Sequence, residues 1–250
     1  MSRKTLRVLC LGDSLTSGYP VGQPYGYKLQ DELESAFLGH GYSEVEVVDD
    51  GDPGELVTKG SFTERMEDRW KGKSSFDWTI VLGGTNDLGW DYDANKIFPS
   101  LKQLWDIPLS KGGKVLALTV PDARARYGNI KDRRDELNKL IMEYKKPNFF
   151  HFDLYNALPY HNMERTDRPK YWQMDGLHLT ADGYDLMGAK IAAALIRIIK
   201  LAEAQETDIS SIAKDPRQRQ AIEDMIYEEE RGNPRLLSQG YIVVRKSDLD

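Results

Sequence analysis

Short apolar runs alternate along the chain with longer segments in which apolar residues recur every three or four positions. The short runs predict buried strands and the longer segments predict helices with one apolar face. The predicted strands are residues 7–11, 44–48, 78–82, 115–120 and 149–154. The predicted helices are residues 27–38, 95–109 with an interruption near Pro99 and Pro108, 131–144, and a last helix capped by Thr180. Such alternation indicates a parallel sheet with helices on both faces, an α/β fold built as a three-layer α/β/α sandwich.

The last helix and the residues after it divide the chain. The apolar stripe of the helix consists of Tyr184, Met187, Ile191, Leu195 and Ile198. We expect one domain over residues 1–202 and an appendage over residues 203–250. In the appendage, Asp215-Pro216 predicts the start of a helix, Gly232 its end, and residues 241–244 a short strand. We expect this helix–strand appendage to pack on the core or on a partner subunit, which would make a homo-oligomer.

Composition narrows the classes of protein. Apolar residues make up 40% and charged residues 30% of the 250 positions, enough apolar material for a globular core. The net charge of −6 gives no electrostatic reason to bind nucleic acid or an acidic membrane. Cys10 is the single cysteine, so an intrachain disulfide is excluded. The apolar run over residues 191–199 is too short and too charged to span a bilayer, and we expect a cytoplasmic protein without stable membrane insertion.

Two motifs supply the residues of a nucleophile and its base. Gly12-Asp13-Ser14-Leu15 follows the first strand, where a sharp turn into a helix would expose the serine hydroxyl. Thr16 stands where an α/β-hydrolase elbow has its second glycine, which disfavours that fold. Before the last helix, Asp175 precedes His178 by three residues, so its carboxylate can orient the imidazole and leave Nε2 free as a base.

Two further motifs supply hydrogen-bond donors. Residues 49–54 follow the second strand, and glycine there lets a backbone N–H approach a ligand. Gly84-Thr85-Asn86-Asp87 follows the third strand, and the Asn86 amide can donate to a developing oxyanion. We interpret Asp13 and Asp87 as stabilising turns rather than as taking part in chemistry. All four motifs fall where a parallel sheet builds its site, at the carboxyl ends of the strands.

Taken in order, the four motifs resemble those of the SGNH hydrolase superfamily, also called the GDSL-type esterases and lipases. The resemblance covers roughly residues 5–200 and implies that family's fold, with a flavodoxin-like five-stranded sheet. The second block usually begins with Asn five residues before its glycine; Asp49 takes that place here, and the spacing selects Gly54 over Gly51. Asn86 matches the family's oxyanion asparagine, and Asp175 and His178 match its Asp-x-x-His block.

The resemblance implies a serine esterase that hydrolyses small to medium carboxylic esters through an acyl-enzyme. Ser14, Asp175 and His178 would be catalytic. The N–H groups of Ser14 and Gly54 and the side chain of Asn86 would form the oxyanion hole. No metal or organic cofactor is required, and the expected partner is a small-molecule ester.

The loops after the strands should form the substrate pocket. Aromatic residues there suit an acyl chain or a sugar face, and we expect Trp90, Tyr127 and Trp172 to bind substrate. Arg124 and Arg126 are suited to a substrate carboxylate or phosphate, with packing or solvation as the alternative.

Three alternatives remain open from the sequence. An acyltransferase would use the same residues with an alcohol in place of water. A non-catalytic binding protein on the same fold would be favoured by loss of a catalytic residue, and none is lost. A nucleotide-binding switch would need a phosphate-cradling glycine loop, which the sequence lacks.

Overall fold

The computed structural model describes residues 4–72 and 76–212. The strands are β1 (Thr5–Gly12), β2 (Glu44–Gly51), β3 (Trp78–Leu82), β4 (Lys114–Leu118) and β5 (Phe149–Phe152). The helices are α1 (Ser14–Ser17), α2 (Tyr25–Phe37), α3 (Gly60–Arg69), α4 (Thr85–Gly89), α5 (Ala94–Ser110), α6 (Ile130–Glu143), α7 (Leu154–Ala157), α8 (Arg168–Tyr171) and α9 (Ala181–Ile212).

The five strands form one parallel sheet in the order β2-β1-β3-β4-β5. This is the flavodoxin-like order, and it confirms the predicted α/β fold with helices flanking a five-stranded parallel sheet. In register, Cys10 of β1 lies beside Asp49 of β2 and Ile80 of β3. The chain runs outward from β1 in one direction to β2 and in the other to β3. Loops that leave the carboxyl ends of β1 and β3 therefore diverge and open a crevice between them.

One face of the sheet shares a continuous apolar core with α3, α5 and α6. Its fully buried members include Leu9 and Leu11 on β1, with Phe62 and Met66 on α3. The core also includes Ile97, Leu101, Leu104, Trp105, Val115, Ala117, Leu137 and Ile141. Burying side chains of this size stabilises the fold by roughly 1.5–3 kcal/mol each, before the cost of chain entropy.

The other face of β1 points toward α2. Cys10 alternates with Leu9 and Leu11 along the strand, so its side chain lies on the opposite face. It is fully buried beside Tyr25 of α2, and burial raises the pKa of its thiol well above the ordinary value. Gly188 in the first part of α9 packs against the backbone of α2, where a Cβ would come within 2.4 Å of the Tyr25 carbonyl oxygen.

The helices differ from the sequence prediction in two ways. The expected interruption of the helix near Pro99 and Pro108 is wrong, because α5 is continuous over both prolines. Each proline removes one N–H donor, but the buried apolar face of α5 against the sheet outweighs that loss. The Asp93 side chain also caps the first turn of α5 by accepting from the Lys96 N–H at 2.9 Å. No helix was predicted at α3, which buries only Phe62 and Met66, or at the short helices α4, α7 and α8.

The last helix begins as predicted. The Thr180 hydroxyl accepts a hydrogen bond from the Gly183 N–H at 3.1 Å, and Tyr184, Met187 and Ile191 of the predicted stripe are fully buried. The chain forms two compact units, residues 1–192 and 193–250. The second unit is described only as the remainder of α9, up to residue 212.

The helix and strand predicted beyond residue 213 lie outside the described residues, and the domain boundary at residue 202 stays a prediction. Among the helices in the described part of the chain, none combines the length and the apolar character that crossing a membrane requires.

Candidate active site

Ser14 lies at the junction of β1 and α1. β1 ends at Gly12 and α1 begins at Ser14, so the chain turns sharply at Asp13. The Asp13 carboxylate caps the helix by accepting from the Leu15 N–H at 3.0 Å. This turn places the Ser14 hydroxyl at the carboxyl edge of the sheet with only 6% of the residue exposed. A hydroxyl in that position is ready to act once a base removes its proton.

His178 and Asp175 lie next to Ser14 although they are about 160 residues away in the chain. The distance from His178 Nε2 to Ser14 Oγ is 3.0 Å, and that from His178 Nδ1 to Asp175 Oδ2 is 2.7 Å. Asp175 Oδ1 also accepts from the backbone N–H groups of Leu177 and His178 at 2.8 and 3.0 Å. The three side chains therefore form one hydrogen-bonded chain, with the carboxylate at its outer end.

The Asp175 carboxylate is held in its charged form. Partial burial acts to raise its pKa, but the hydrogen bond with His178 and the two backbone N–H donors outweigh burial, so the pKa of Asp175 lies below its usual value. An ionised carboxylate at Nδ1 fixes the tautomer that carries its proton there and leaves Nε2 as the acceptor facing Ser14.

Asp13 and Asp87, next to Ser14 and Asn86 in the chain, make structural contacts, as expected from the sequence. Asp13 is fully buried, and burial raises its pKa to about 7. Asp87 is also fully buried and accepts from the Val57 N–H at 3.0 Å and from the Thr58 N–H and hydroxyl. Asp13 thus caps α1, and Asp87 anchors the loop that follows β2 to the start of α4.

The loop after β2 brings Gly54 to this edge of the sheet. Its first residue, Asp52, donates its N–H to the Gly12 carbonyl oxygen at 3.0 Å, next to Ser14. Gly51 still belongs to β2 and packs so closely that a Cβ would come within 2.2 Å of the Ser17 nitrogen. Gly54 has a φ of +85° and open space around its Cα, so glycine is required there by conformation.

Asn86 and Arg65 hold the same loop from two sides. Asn86 Nδ2 donates to the Glu55 carbonyl oxygen at 2.8 Å, which leaves its second amide hydrogen for another acceptor. Arg65 of α3 pairs with the carboxylates of Asp50 and Glu55 and donates to the Gly12 carbonyl oxygen at 2.8 Å. The loop is therefore tied to β1, α3 and α4 around Gly54.

The sequence model of the GDSL-like Lipase/Acylhydrolase family matches residues 10–186, a span that contains every residue of this hydrogen-bonded site. The chain belongs to this family. As a GDSL-like hydrolase, it belongs with the enzymes that act on esters.

Solved structures of proteins from this family have a similar fold. A lipase/acylhydrolase from Enterococcus faecalis is 26% identical, with a TM-score of 0.55 over 78% of this chain and 96% of that one. A member of the lipolytic G-D-S-L family from Veillonella parvula is 21% identical, with a TM-score of 0.59 over 75% of this chain and 96% of that one. A comparison with curated proteins found no match.

The residues expected to bind substrate in this GDSL hydrolase fall into two groups. Trp90 and Tyr127 are 69% and 65% exposed, on the segments that follow α4 and β4. Trp172 differs from the expectation, because it is only 3% exposed. Its ring packs edge-on against the Tyr160 ring, with the ring centroids 5.3 Å apart. A ring enclosed in this way stabilises the segment before Asp175 and is unavailable to a substrate.

Two residues of the GDSL hydrolase site, Tyr19 and Arg124, make contacts that had no signal in the sequence. The Tyr19 ring, 49% exposed, packs edge-on against the His178 ring with centroids 4.9 Å apart, and the Tyr184 hydroxyl donates to the Tyr19 carbonyl oxygen. Arg124, which the sequence left open between a substrate anion and packing, donates from Nη1 to the Met174 carbonyl oxygen at 2.8 Å. Neither contact follows a local pattern, because each partner comes from a distant part of the chain.

Proposed function

We propose that the protein is a serine esterase that hydrolyses small to medium carboxylic esters through an acyl-enzyme intermediate. The observation that carries this proposal is the hydrogen-bonded chain from Ser14 Oγ through the His178 ring to Asp175, with distances of 3.0 and 2.7 Å. Membership of the GDSL-like family supports the ester bond as the target.

The first half of the reaction forms the acyl-enzyme. Ser14 Oγ attacks the carbonyl carbon of the ester while its proton passes to His178 Nε2. The tetrahedral intermediate then collapses, the bond to the alcohol oxygen breaks, and His178 gives the proton to the departing alcohol. Asp175 stabilises the imidazolium that exists between these two transfers.

The second half reverses the first with water as the nucleophile. Water loses a proton to His178 Nε2 and attacks the acyl carbon, and the proton returns to Ser14 Oγ as the carboxylic acid leaves. One residue thus acts as base and then as acid in each half. No group other than the ester and water is consumed.

Charge that develops on the carbonyl oxygen needs donors aimed at it. We assign this role to the N–H groups of Ser14 and Gly54 and to the Asn86 amide hydrogen that is not bound to Glu55. The anchoring of the Gly54 loop by Asp52 and Arg65 supports this assignment, because donors held in place before the reaction need not reorganise during it.

Two exposed aromatic residues on the segments after α4 and β4 can contact the acyl group of a substrate. Trp90 and Tyr127 offer apolar ring faces, and we propose that they contact the acyl chain as it enters the site. We leave Trp172 out of this pocket because it is buried.

The test is hydrolysis of p-nitrophenyl esters from acetyl to palmitoyl by the full chain, with Ser14→Ala, His178→Ala and Asp175→Asn. We expect activity that is highest on short and medium chains and that falls at least about 10³-fold in Ser14→Ala. Ser110→Ala is the matched control, because that serine ends α5, the helix that enters the amino end of β4. It should retain full activity.

Three results would contradict the proposal. Hydrolysis that survives in Ser14→Ala would remove the assignment of the nucleophile. A folded wild-type protein that neither hydrolyses any ester nor reacts with a fluorophosphonate at Ser14 would favour a binding role. Labelling without hydrolysis, followed by acyl transfer when an alcohol is added, would identify an acyltransferase instead.

A further inference from the structure

Arg124 contacts the turn that carries Asp175 and His178 at two points. Its backbone N–H donates to the Gly176 carbonyl oxygen at 2.7 Å, and its Nη1 donates to the Met174 carbonyl oxygen at 2.8 Å. These two carbonyl groups lie just before and just after Asp175 in the chain. Arg124 therefore holds the backbone on both sides of the carboxylate that pairs with His178.

The packing at Gly176 shows how close this contact is. Gly176 has a φ of +68°, and a Cβ built on it would come within 2.4 Å of Arg124 Cβ and 3.2 Å of the Tyr160 ring. The glycine thus allows both the left-handed conformation of the turn and the close approach of Arg124.

The loop that carries Arg124 is itself fixed at its base. Asp122 is buried and accepts from the backbone N–H groups of Tyr160 and His161 at 3.1 and 3.0 Å. It also accepts from Arg134, a buried residue of α6 that donates to the Pro121 carbonyl oxygen as well. The contacts of Arg124 are therefore made from a rigid base on α6.

Asp175 needs such support because it lies on a surface turn, with 49% of its side chain exposed. Solvent competes for a carboxylate on such a turn, so the position of Asp175 depends on how the backbone of the turn is held on both sides of it. A displacement of about 1 Å at a reacting group can cost roughly 100-fold in rate.

We propose that Arg124 is a positioning residue that sets the place of Asp175 and His178 relative to Ser14. The proposal rests on the esterase function proposed above. Arg124 acts through the backbone of the turn and does not touch the reacting atoms. Of the two roles that the sequence left open for Arg124, this one favours packing over binding a carboxylate or phosphate of the substrate, and the two roles predict different kinetics.

The experiment compares Arg124→Met and Arg124→Lys with Arg126→Met, which removes an exposed arginine from the same loop. For the neutral substrate p-nitrophenyl butyrate, we expect Arg124→Met to lower kcat about 10- to 100-fold with KM changed less than about threefold. Arg124→Lys keeps one donor for the Met174 carbonyl and should recover part of kcat, and Arg126→Met should stay within about twofold of wild type.

A second readout does not depend on turnover. We expect the proton on His178 Nδ1, hydrogen-bonded to Asp175 at 2.7 Å, to give a far-downfield NMR signal. Arg124→Met should broaden or remove this signal, and Arg126→Met should leave it unchanged. Circular dichroism checks that each variant is folded. If Arg124→Met does not fold, the same measurements on Arg124→Lys test the proposal.

Three outcomes would overturn the positioning role. The first is a kcat within twofold of wild type in Arg124→Met, and the second is an unchanged Nδ1 proton signal. The third is a rise in KM confined to an ester that carries a carboxylate, which would return Arg124 to substrate binding. Failure of the esterase proposal would be seen separately, as wild-type hydrolysis that is absent or independent of Ser14.

Discussion

Asp49 occupies a position where its charge should weaken the fold. It lies on β2 beside Cys10, and its carboxylate packs against Gly26 in the first turn of α2, where a Cβ would come within 2.0 Å of Oδ1. Oδ1 is buried and has no hydrogen-bond partner among the residues that the structure describes. Burial raises the pKa of Asp49 from the ordinary value of 3.8 to about 6. In the GDSL-type family, the second motif usually begins with asparagine at this position, and asparagine carries no charge.

The size of the effect follows from this difference in pKa. A change from 3.8 to about 6, at about 1.4 kcal/mol per pH unit, makes ionised Asp49 unfavourable in the folded state by roughly 3 kcal/mol. Above about pH 7 the carboxylate is ionised in both states, and this cost is complete. As the pH falls from 6 toward 3.8, the folded state takes up the proton first, and the cost disappears.

We therefore expect Asp49→Asn to raise the free energy of unfolding most at high pH. At pH 8 the gain should be about 2–3 kcal/mol, less whatever the buried amide costs, and most of it should be lost by pH 4. Urea unfolding of both proteins at pH 8, 6 and 4, followed by tryptophan fluorescence, measures the difference at each pH. Asp31→Asn, on the exposed side of α2, makes the same charge change without removing a buried carboxylate and is the control.

Either of two results would refute this reasoning. A difference between Asp49→Asn and wild type that is the same at pH 8 and pH 4 would mean that the pKa of Asp49 is not raised in the folded state. A variant whose stability relative to wild type is lower at pH 8 than at pH 4 would mean that the first turn of α2 stabilises the ionised carboxylate through its N–H groups.

Two further predictions concern the loop after β2. Asn86→Ala should lower kcat about 10²- to 10³-fold with little change in KM, because one donor to the oxyanion is lost; steady-state kinetics measures it, and a rise in KM alone would contradict the role. Arg65→Met should lower the free energy of unfolding by roughly 3–5 kcal/mol, because it leaves the buried carboxylate of Glu55 and the carboxylate of Asp50 without this partner. Arg69→Met, which removes a more exposed partner of Asp50, should cost less than about 1 kcal/mol in the same urea titration, and equal losses would argue against burial as the cause.

The strands were the easiest elements to predict. Their apolar runs are short and nearly continuous, as expected for a parallel sheet covered on both faces, and β3 has the predicted bounds. Helix α3 escaped prediction because a helix that contributes only Phe62 and Met66 to the core has no longer stripe to detect. The continuity of α5 through Pro99 depends on tertiary packing, which local propensity does not contain.

The motif residues could be located because they stand directly after strands. Parallel strands end at one edge of the sheet, so Ser14 and Asn86 are brought near each other by topology alone. The burial of Trp172 could not be predicted, for the opposite reason. It belongs to a long segment between β5 and α9, whose path is set by contacts such as that with Tyr160 and not by the end of a strand.

Three charged residues near the strand ends hold loops by binding backbone groups far away in the sequence. Asp87 binds N–H groups 29 and 30 residues away, Arg65 a carbonyl 53 residues away, and Asp122 N–H groups 38 and 39 residues away. A buried charge needs several hydrogen bonds, and backbone groups of a loop provide them without a matching side chain. No pattern in the sequence marks the partner, so these anchors are visible only in three dimensions. The position of a charged residue close to these motifs can therefore be explained by a loop that it holds as well as by a substrate that it binds. For Arg124, the contacts favour holding a loop.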